Sequence, residues 1–214
     1  MAKKSNVVPI TASSGHKSAY VARNRASLIR AAQQVFAELG PIATMEAVAA
    51  QAEVAPSTVY KHFGTKESLL EISILEAFSA WQEWALEKAE HTDPLMQLVL
   101  PMRLFARMRT THPLYSQLVK SCFSETHKIL PVTNTGFAEN LRHLQNIDVI
   151  DIDNFDIRVQ NLGACLFEIL DTQLHNPKSP DTDADIAIEI ALGMLCISPA
   201  KAKKLAHSPL PTLS

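Results

Sequence analysis

Two short helical patterns separated by a turn of three residues restrict the possible folds of this chain most strongly. The first pattern, Thr44 to Ala52, has apolar residues at i, i+3, i+4 and i+7. In the second, Pro56 to Phe63, apolar residues fall on one face and polar residues, including Tyr60 and Lys61, fall on the opposite face. Two short helices joined by so tight a turn form a helix-turn-helix, whose second helix enters the major groove of DNA.

The composition favours an all-α protein. The chain has 214 residues, 47% of them hydrophobic, so it can bury a sizeable core as one or two domains. It has only six glycines, and its apolar residues recur at helical rather than alternating spacing. We therefore expect helices throughout.

The charges are distributed unevenly along the chain. The net charge is −2, but residues 1–66 contain eight Lys or Arg against three Asp or Glu, whereas residues 67–214 carry an excess of acidic groups. The basic end therefore contains the helix-turn-helix, as binding to phosphates requires.

Cysteine usage and hydropathy indicate a cytoplasmic protein. Cys122, Cys165 and Cys196 are odd in number and widely separated, which favours reduced thiols. The apolar run after the first lysines is too short for a signal peptide, and no run approaches 18 apolar residues. We expect no membrane partner.

The N-terminal part is predicted to contain a third helix. Residues 1–21 show no periodicity and are predicted to be a flexible basic arm. From Arg23 to Leu39 the apolar spacing is strongly helical and ends at Gly40. Thr44 is the expected N-cap of the next helix, where free N–H groups could also hold a phosphate oxygen.

These residues resemble a known family. The segments 28–39, 44–49 and 58–69, the last containing the string Thr-Val-Tyr-Lys-His-Phe-Gly-Thr-Lys-Glu, look like the DNA-binding domain of TetR-type transcriptional repressors. The family usually has Gly in the turn and Ser at the cap of the recognition helix, where this chain has Glu53 and Ala55. Each departure costs about 1 kcal/mol, partly offset by Pro56 at the first helical position.

The resemblance implies the organisation of the whole chain. It implies an N-terminal three-helix DNA-binding domain (22–68) and a C-terminal helical domain for effector binding and dimerisation (69–198). A long helix from Lys66 to about Glu90 would connect them. Residues 199–214 are predicted to be a frayed tail.

Further helices are predicted from periodicity and punctuation. Asp93 is the expected N-cap of a helix in which Pro101 introduces a kink. Helices follow over about 114–123, 136–146, 157–174 and 183–197, and residues 124–135 remain ambiguous. The last two are almost wholly apolar and must be covered on both sides, so we interpret them as the dimerisation element, also their place in the family.

The sequence and the resemblance together name candidate site residues. The candidates for DNA contact are Arg25, Thr44, Pro56, Ser57, Thr58, Tyr60, Lys61, His62 and Lys66. The candidates for effector binding are Phe78, Trp81, Trp84, Met102, Phe105, Met108, His112 and Tyr115. The candidates for the dimer interface are Leu162, Cys165, Leu166, Ile169, Ile186, Ile190 and Met194.

Each group has a plain structural alternative. Tyr60 could be half-buried, Lys66 could be an ordinary first-turn lysine, and core and phosphate roles are equally favoured for His62. Trp81 and Trp84 are tryptophans of a kind that more often belong to a core than to the wall of a ligand site.

The predicted pocket between the middle helices is apolar. It favours an apolar or aromatic effector over a highly charged one.

Enzymatic and metal-binding readings are weaker. The chain lacks the His-Glu-x-x-His, Gly-x-Ser-x-Gly and glycine-rich phosphate-loop motifs. The acidic stretch 148–156 does not match a calcium loop, since Asp156 and Leu162 occupy the positions that require Gly and Glu. Glu168, Asp171 and His175 could bind a metal, although a solvent-exposed or interface face is favoured. We expect no enzyme activity, cofactor or metal.

The sequence therefore predicts a cytoplasmic homodimeric repressor. Its partners would be double-stranded operator DNA of near-palindromic sequence, a small-molecule effector and a second copy of the chain. The resemblance implies that the effector moves the connecting helix and changes the spacing of the recognition helices. The alternatives are a dimeric DNA-binding protein without an effector and, less favoured, a helical metal-dependent enzyme.

Overall fold

The computed structural model describes residues 13–130, 135–176, 178 and 180–213, and the regular structure in these ranges is helical. In chain order the α-helices are α1 (Ser13–Leu39), α2 (Met45–Gln51), α3 (Pro56–Phe63), α4 (Lys66–Ala89), α5 (Pro94–Phe105), α6 (Met108–Thr111), α7 (Pro113–Ser121), α8 (Phe123–Ile129), α9 (Thr135–Asn146), α10 (Phe155–His175), α11 (Asp181–Leu192) and α12 (Pro199–Ala206). Short 3-10 turns follow α1 and α11, at Gly40–Ile42 and Gly193–Leu195. The all-α prediction is confirmed.

Helices α1 to α3 form the predicted helix-turn-helix domain, here called the head. The Thr44 hydroxyl accepts a hydrogen bond from the Ala47 N–H at 3.1 Å, which confirms the predicted N-cap of α2. Helix α3 begins at Pro56 without a side-chain cap, as its sequence predicts. In the turn, Glu53 has a φ of 55°, a left-handed conformation that glycine adopts at less cost. Pro56 at the first helical position offsets part of the cost of the missing cap.

Helix α4 connects the head to the rest of the chain, here called the body. The Thr65 hydroxyl caps it, and the helix runs for 24 residues without interruption. The core of the head continues along α4 through Leu69 and Ile74, and includes Leu118 and Phe167 from the body. The predicted domain boundary at residues 68 and 69 thus lies inside α4, and the core crosses it.

The body is built from α5 to α12 around two further apolar cores. One core joins α5, α9, α10, α11 and α12, and the other joins α4, α5, α7 and α10. The Asp93 side chain caps α5 by accepting hydrogen bonds from two backbone N–H groups, as predicted. Helix α5 continues through Pro101, which is half-buried.

A buried ionic network joins α5, α11 and the C-terminal segment. Arg103 Nε donates to Asp185 Oδ1 at 2.9 Å, and Arg107 Nη2 lies 2.6 Å from Asp185 Oδ2. Arg103 Nη1 also donates to the Ser208 carbonyl at 2.8 Å. The side chains of both arginines are at most 3% exposed. The sequence suggested that this helix is apolar on almost all sides. The buried Asp185 shows that α11 has a polar side as well.

Both predicted flexible ends differ from the structure. Helix α1 begins at Ser13, so the part of the predicted arm from 13 to 21 is helical, and residues 1–12 lie outside the described residues. The predicted frayed tail contains α12, whose Ala202 and Ala206 are buried. Leu210 and Leu213 pack against the core that contains Trp81. The tail prediction is wrong because small residues give a weak apolar stripe.

The second of the two apolar C-terminal helices ends earlier than the sequence predicts. The predicted end is Ile197, whereas α11 ends at Leu192. The 3-10 turn follows, and Cys196 then adopts a left-handed conformation with a φ of 59°. The chain can therefore reverse and place α12 against α11 and α5.

Candidate DNA-binding surface and ligand cavity

The recognition helix α3 separates its packed face from its free face as the sequence predicts. Val59 is fully buried and Phe63 is 6% exposed, whereas Tyr60 is 46% exposed. Of the other DNA-contact candidates on α3, the exposed ones are Pro56, Ser57 and Lys61, and the half-buried ones are Thr58 and His62. An exposed polar helix face is the surface that a helix-turn-helix presents to the major groove.

Tyr60 is held by a residue that the sequence did not single out. Its hydroxyl donates a hydrogen bond to Glu46 Oε1 on α2, at a distance of 3.2 Å. A hydrogen bond from Glu46's own backbone N–H, and then the one from Tyr60, lowers the pKa of the Glu46 carboxyl. The same contact raises the pKa of the Tyr60 hydroxyl. Local spacing gives no signal for this pair, because the two residues lie on different helices.

Two other basic candidates have partners inside the protein. Lys66 Nζ donates to the Pro41 carbonyl at 2.8 Å, which connects the start of α4 to the turn after α1. Arg25 lies over the Phe63 ring, 5.5 Å from its centroid, and its guanidinium is 3.7 Å from Glu76 of α4. Both side chains therefore position the head in addition to any role at DNA.

A cavity of about 630 Å³ lies in the body between α4, α5, α9 and α10. The residues that line it are Phe78, Trp81, Gln82, Leu86, Gln97, Leu98, Pro101, Met102, Phe105, Leu130, Gly136, Phe137, Asn140, Leu166 and Phe167. None of these described lining residues carries a formal charge, and three carry amides. A mainly apolar cavity of this size with a few polar groups is typical of a small-molecule site.

The structure brings four of the eight effector candidates into this cavity. They are Phe78, Trp81, Met102 and Phe105. The four that do not line it are Trp84, Met108, His112 and Tyr115. The sequence missed Phe137, Asn140 and Phe167, because they come from helices far away in the chain.

The excluded candidates have structural roles instead. Met108 is 1% exposed in the core. The His112 ring makes an edge contact with Trp84, at 4.6 Å between centroids, and stacks on Tyr115 at 5.5 Å. Burial lowers the pKa of the His112 imidazole. This cluster ties α4 to the start of α7, and its Tyr115 lines a smaller void together with Phe78 and Phe105 of the cavity lining.

The candidates for the dimer interface separate into two groups. Ile186 and Ile190 on α11 are 49% and 68% exposed, while Cys165 and Met194 are half-buried. Leu162, Leu166 and Ile169 are at most 8% exposed in the core of the protomer. One face of α10 already packs these three residues inside its own chain, and their contact with a second copy stays a prediction.

Ile157 is an interface candidate that the sequence analysis missed. It lies on α10 and is 65% exposed. Its sequence neighbours, Asp156 and Arg158, are charged, so a search for continuous apolar runs does not find it.

The acidic groups considered for metal binding form ion pairs instead. Asp156 pairs with Arg142 at 2.8 Å, and Asp153 pairs with Arg158 at 2.9 Å. His175 Nδ1 lies 2.9 Å from Asp171 Oδ1. Over the described ranges, no group of three or more His, Cys, Asp or Glu side chains is placed to hold a metal ion. Within the same ranges, no helix has the length and apolar character needed to cross a membrane.

Comparison with known proteins identifies the head. Residues 28–71 match the family described as bacterial regulatory proteins of the tetR family. A comparison with curated proteins gives no match.

Several solved structures share the fold. The complex of RolR with resorcinol is 21% identical, with a TM-score of 0.70 over 92% of this chain and 100% of that one. NalD from Pseudomonas aeruginosa, the secondary repressor of the MexAB-OprM multidrug efflux pump, is 20% identical, with a TM-score of 0.58 over 81% and 96%. The multidrug binding protein EbrR complexed with imidazole is 19% identical, with a TM-score of 0.62 over 82% and 92%.

The matched segment contains all of α2 and α3, the C-terminal part of α1 and the start of α4. Its exposed recognition helix and the shared whole-chain fold agree with the sequence resemblance. Residues 28–71 therefore form a DNA-binding domain of the tetR family, and the chain as a whole shares the fold of these solved structures.

Proposed function

We propose that this protein is a cytoplasmic homodimeric repressor that leaves a near-palindromic operator when an uncharged apolar or aromatic molecule occupies the cavity. The observation that carries this proposal is the cavity of about 630 Å³, which lacks formal charges in its described lining. A highly charged ligand would lose its hydration there without gaining a partner ion. Resorcinol, the ligand in the RolR complex, is likewise small, aromatic and uncharged.

Helix α4 supports a link between the cavity and DNA. Phe78, Trp81, Gln82 and Leu86 line the cavity from this helix, and the same helix begins beside the recognition helix. A ligand that prefers one position of α4 therefore also prefers one position of the head. A preference of about 1 to 3 kcal/mol weakens DNA binding about 5- to 150-fold.

Two-fold symmetry supports the proposed shape of the operator. Exposed isoleucines on α10 and α11 offer a surface for a second copy of the chain. In a symmetric dimer the two recognition helices are related by a two-fold axis, so they read two inverted half-sites. Footprinting of the wild-type protein should therefore protect two half-sites separated by about one or more helical turns.

Among the amides of the cavity, Asn140 is the best placed to orient a ligand. The Gln97 amide donates to the carbonyls of Glu90 and Thr92, each at 3.2 Å, and so stabilises the turn before α5. Gln82 is exposed at the rim, whereas Asn140 of α9 is half-buried. We therefore assign the orienting hydrogen bond to Asn140.

The test uses two matched probes, 1-naphthol and naphthalene, with a DNA duplex selected from a random library by the wild-type protein. We expect both probes to weaken DNA binding, and citrate to have no effect. Asn140→Leu should weaken 1-naphthol binding about 5- to 10-fold, the equivalent of one hydrogen bond of about 1 kcal/mol, and leave naphthalene binding unchanged. Calorimetry gives the probe affinities and fluorescence anisotropy gives the DNA affinities.

Asn146→Leu is the matched control, because Asn146 lies at the exposed end of the same helix and does not line the cavity. Release of DNA by citrate but not by either aromatic probe would contradict the proposed effector class. Equal losses for both probes in Asn140→Leu would contradict the orienting role of the amide.

A second prediction concerns Lys66 in the head. An ammonium group has three donors, so Lys66 Nζ can bind a DNA phosphate while keeping its contact with the Pro41 carbonyl. Lys66→Ala should weaken binding to all sequences and reduce the slope of log affinity against log salt by about one. Ser57→Ala and Lys61→Ala should instead change base preference, since both residues are exposed on α3.

Lys203→Ala provides the control for charge, because Lys203 is exposed on α12 in the body. Binding titrations from low to high salt measure the slope for each variant. A change of base preference in Lys66→Ala with an unaltered slope would reverse the assigned roles.

A further inference from the structure

The C-terminal end of α1 is held by the body. The last four carbonyls of an α-helix have no partner within that helix. Here Ser121 Oγ, at the end of α7, donates to the Ala37 carbonyl of α1 at 2.6 Å. Gln117 Nε2 reaches the same carbonyl at 3.5 Å and the Ser121 hydroxyl at 3.3 Å. Helix α7 therefore caps the first helix of the DNA-binding head.

The two helix ends approach each other too closely for an ordinary side chain between them. Gly40, immediately after α1, has a φ of +63°, and a Cβ atom at this position would lie 2.9 Å from the Ser121 carbonyl oxygen. Only glycine adopts this conformation readily and leaves the space open. Movement of α7 therefore requires the end of α1 to move with it or the contact to break.

A wall of four side chains separates the ligand cavity from a second void of about 20 Å³, which α7 borders. This shared wall consists of Phe78, Phe105, Leu130 and Phe167. The void is near the smallest size that holds one water molecule. Its far side is formed in part by Leu118 and Val119 of α7. A ligand that presses on the shared wall can displace it into the void and towards α7.

From this arrangement we propose that Ser121 is a positioning residue that helps to pass occupancy of the cavity to the DNA-binding head. The wall transmits the displacement to Leu118 and Val119, and the hydrogen bond from Ser121 to Ala37 passes it to α1. This path is additional to α4. The proposal rests on the proposed function, since it requires a ligand in the cavity to change DNA binding.

The first test compares wild type with Ser121→Ala and Ser116→Ala. Ser116 is the matched control because its hydroxyl donates to the Pro113 carbonyl, inside α7. For each protein we would measure the affinity for 1-naphthol, and the affinity for the selected duplex with and without saturating 1-naphthol.

We expect 1-naphthol to bind the three proteins equally. It should weaken DNA binding of wild type and Ser116→Ala by the same factor, between about 5- and 150-fold, and that of Ser121→Ala by a factor at least about 2-fold smaller, because the α4 path remains. A full effect of 1-naphthol on Ser121→Ala would overturn the proposal.

The second test needs no ligand. Val119→Ile adds one carbon atom to the void and imitates a displaced wall. We expect it to change DNA affinity at least about 3-fold when Ser121 is present and less than about 1.5-fold in the Ser121→Ala background, as a double-mutant cycle detects for coupled residues.

The two tests separate the proposal from the proposed function. Equal changes in both backgrounds, or no change in either, would overturn the path through Ser121. If 1-naphthol leaves the wild type bound to DNA, the effector proposal fails, and the Val119→Ile cycle still decides the role of Ser121.

Discussion

Asp185→Ala is expected to lower the free energy of unfolding by about 3–5 kcal/mol, because it leaves two buried guanidinium groups without their shared counter-ion. The Asp185 carboxylate binds Arg103 through one oxygen and Arg107 through the other, at 2.9 and 2.6 Å. Asp181 is not a substitute, since its carboxylate is 51% exposed and lies 3.8 Å from Arg107 Nε. A loss of this size is a large part of the 5–15 kcal/mol that stabilises a typical domain.

Urea unfolding at constant protein concentration measures this loss in the free energy of unfolding. Asp181→Ala is the control. The control removes a half-exposed carboxylate from the same helix, so we expect it to cost about 0–1 kcal/mol. Asp185→Asn keeps the shape of the side chain and tests whether the charge is needed. An Asp185→Ala variant within about 1 kcal/mol of wild type would show that the network is relaxed by water or by rearrangement.

The network also shows what local sequence patterns cannot reveal. Arg103 and Asp185 are 82 residues apart, and Asp185 lies in a segment that is otherwise almost continuously apolar. A helical pattern predicts that a residue is inside but not which distant group it meets there. By contrast, the caps at Thr44 and Asp93 depend only on residues two or three positions away, and both were predicted correctly.

The same difference between local and long-range contacts separates the DNA-binding surface from the ligand cavity. The exposed face of the recognition helix follows from its eight residues alone, because Val59 and Phe63 fix which side packs inward. The cavity combines four helices, and its Phe137 and Phe167 become neighbours of Trp81 only after folding. Residue type alone predicted aromatic walls, but it could not separate Phe105, which lines the cavity, from Tyr115, which does not.

Ile190→Asp is expected to dissociate the proposed dimer and, with it, high-affinity binding to DNA. Ile190 is 68% exposed, Ile186 is one turn earlier on the same helix, and Ile157 of α10 is 65% exposed. A two-fold interface contains each residue twice, so one substitution removes two buried side chains of about 1.5–3 kcal/mol each. Each introduced carboxylate must also lose water without gaining a partner.

These contributions predict a dimer dissociation constant raised at least about 100-fold, since about 1.4 kcal/mol corresponds to a factor of ten. Sedimentation equilibrium measures this constant, and anisotropy titrations compare a palindromic duplex with a single half-site. The wild type should prefer the palindrome strongly, whereas Ile190→Asp should bind both duplexes with similar, weak affinity, because a monomer engages only one half-site at a time. Ile147→Asp is the matched control, since Ile147 is 46% exposed after α9, outside α10 and α11. A dimeric Ile190→Asp variant together with a monomeric Ile147→Asp variant would place the interface on a different face of the body.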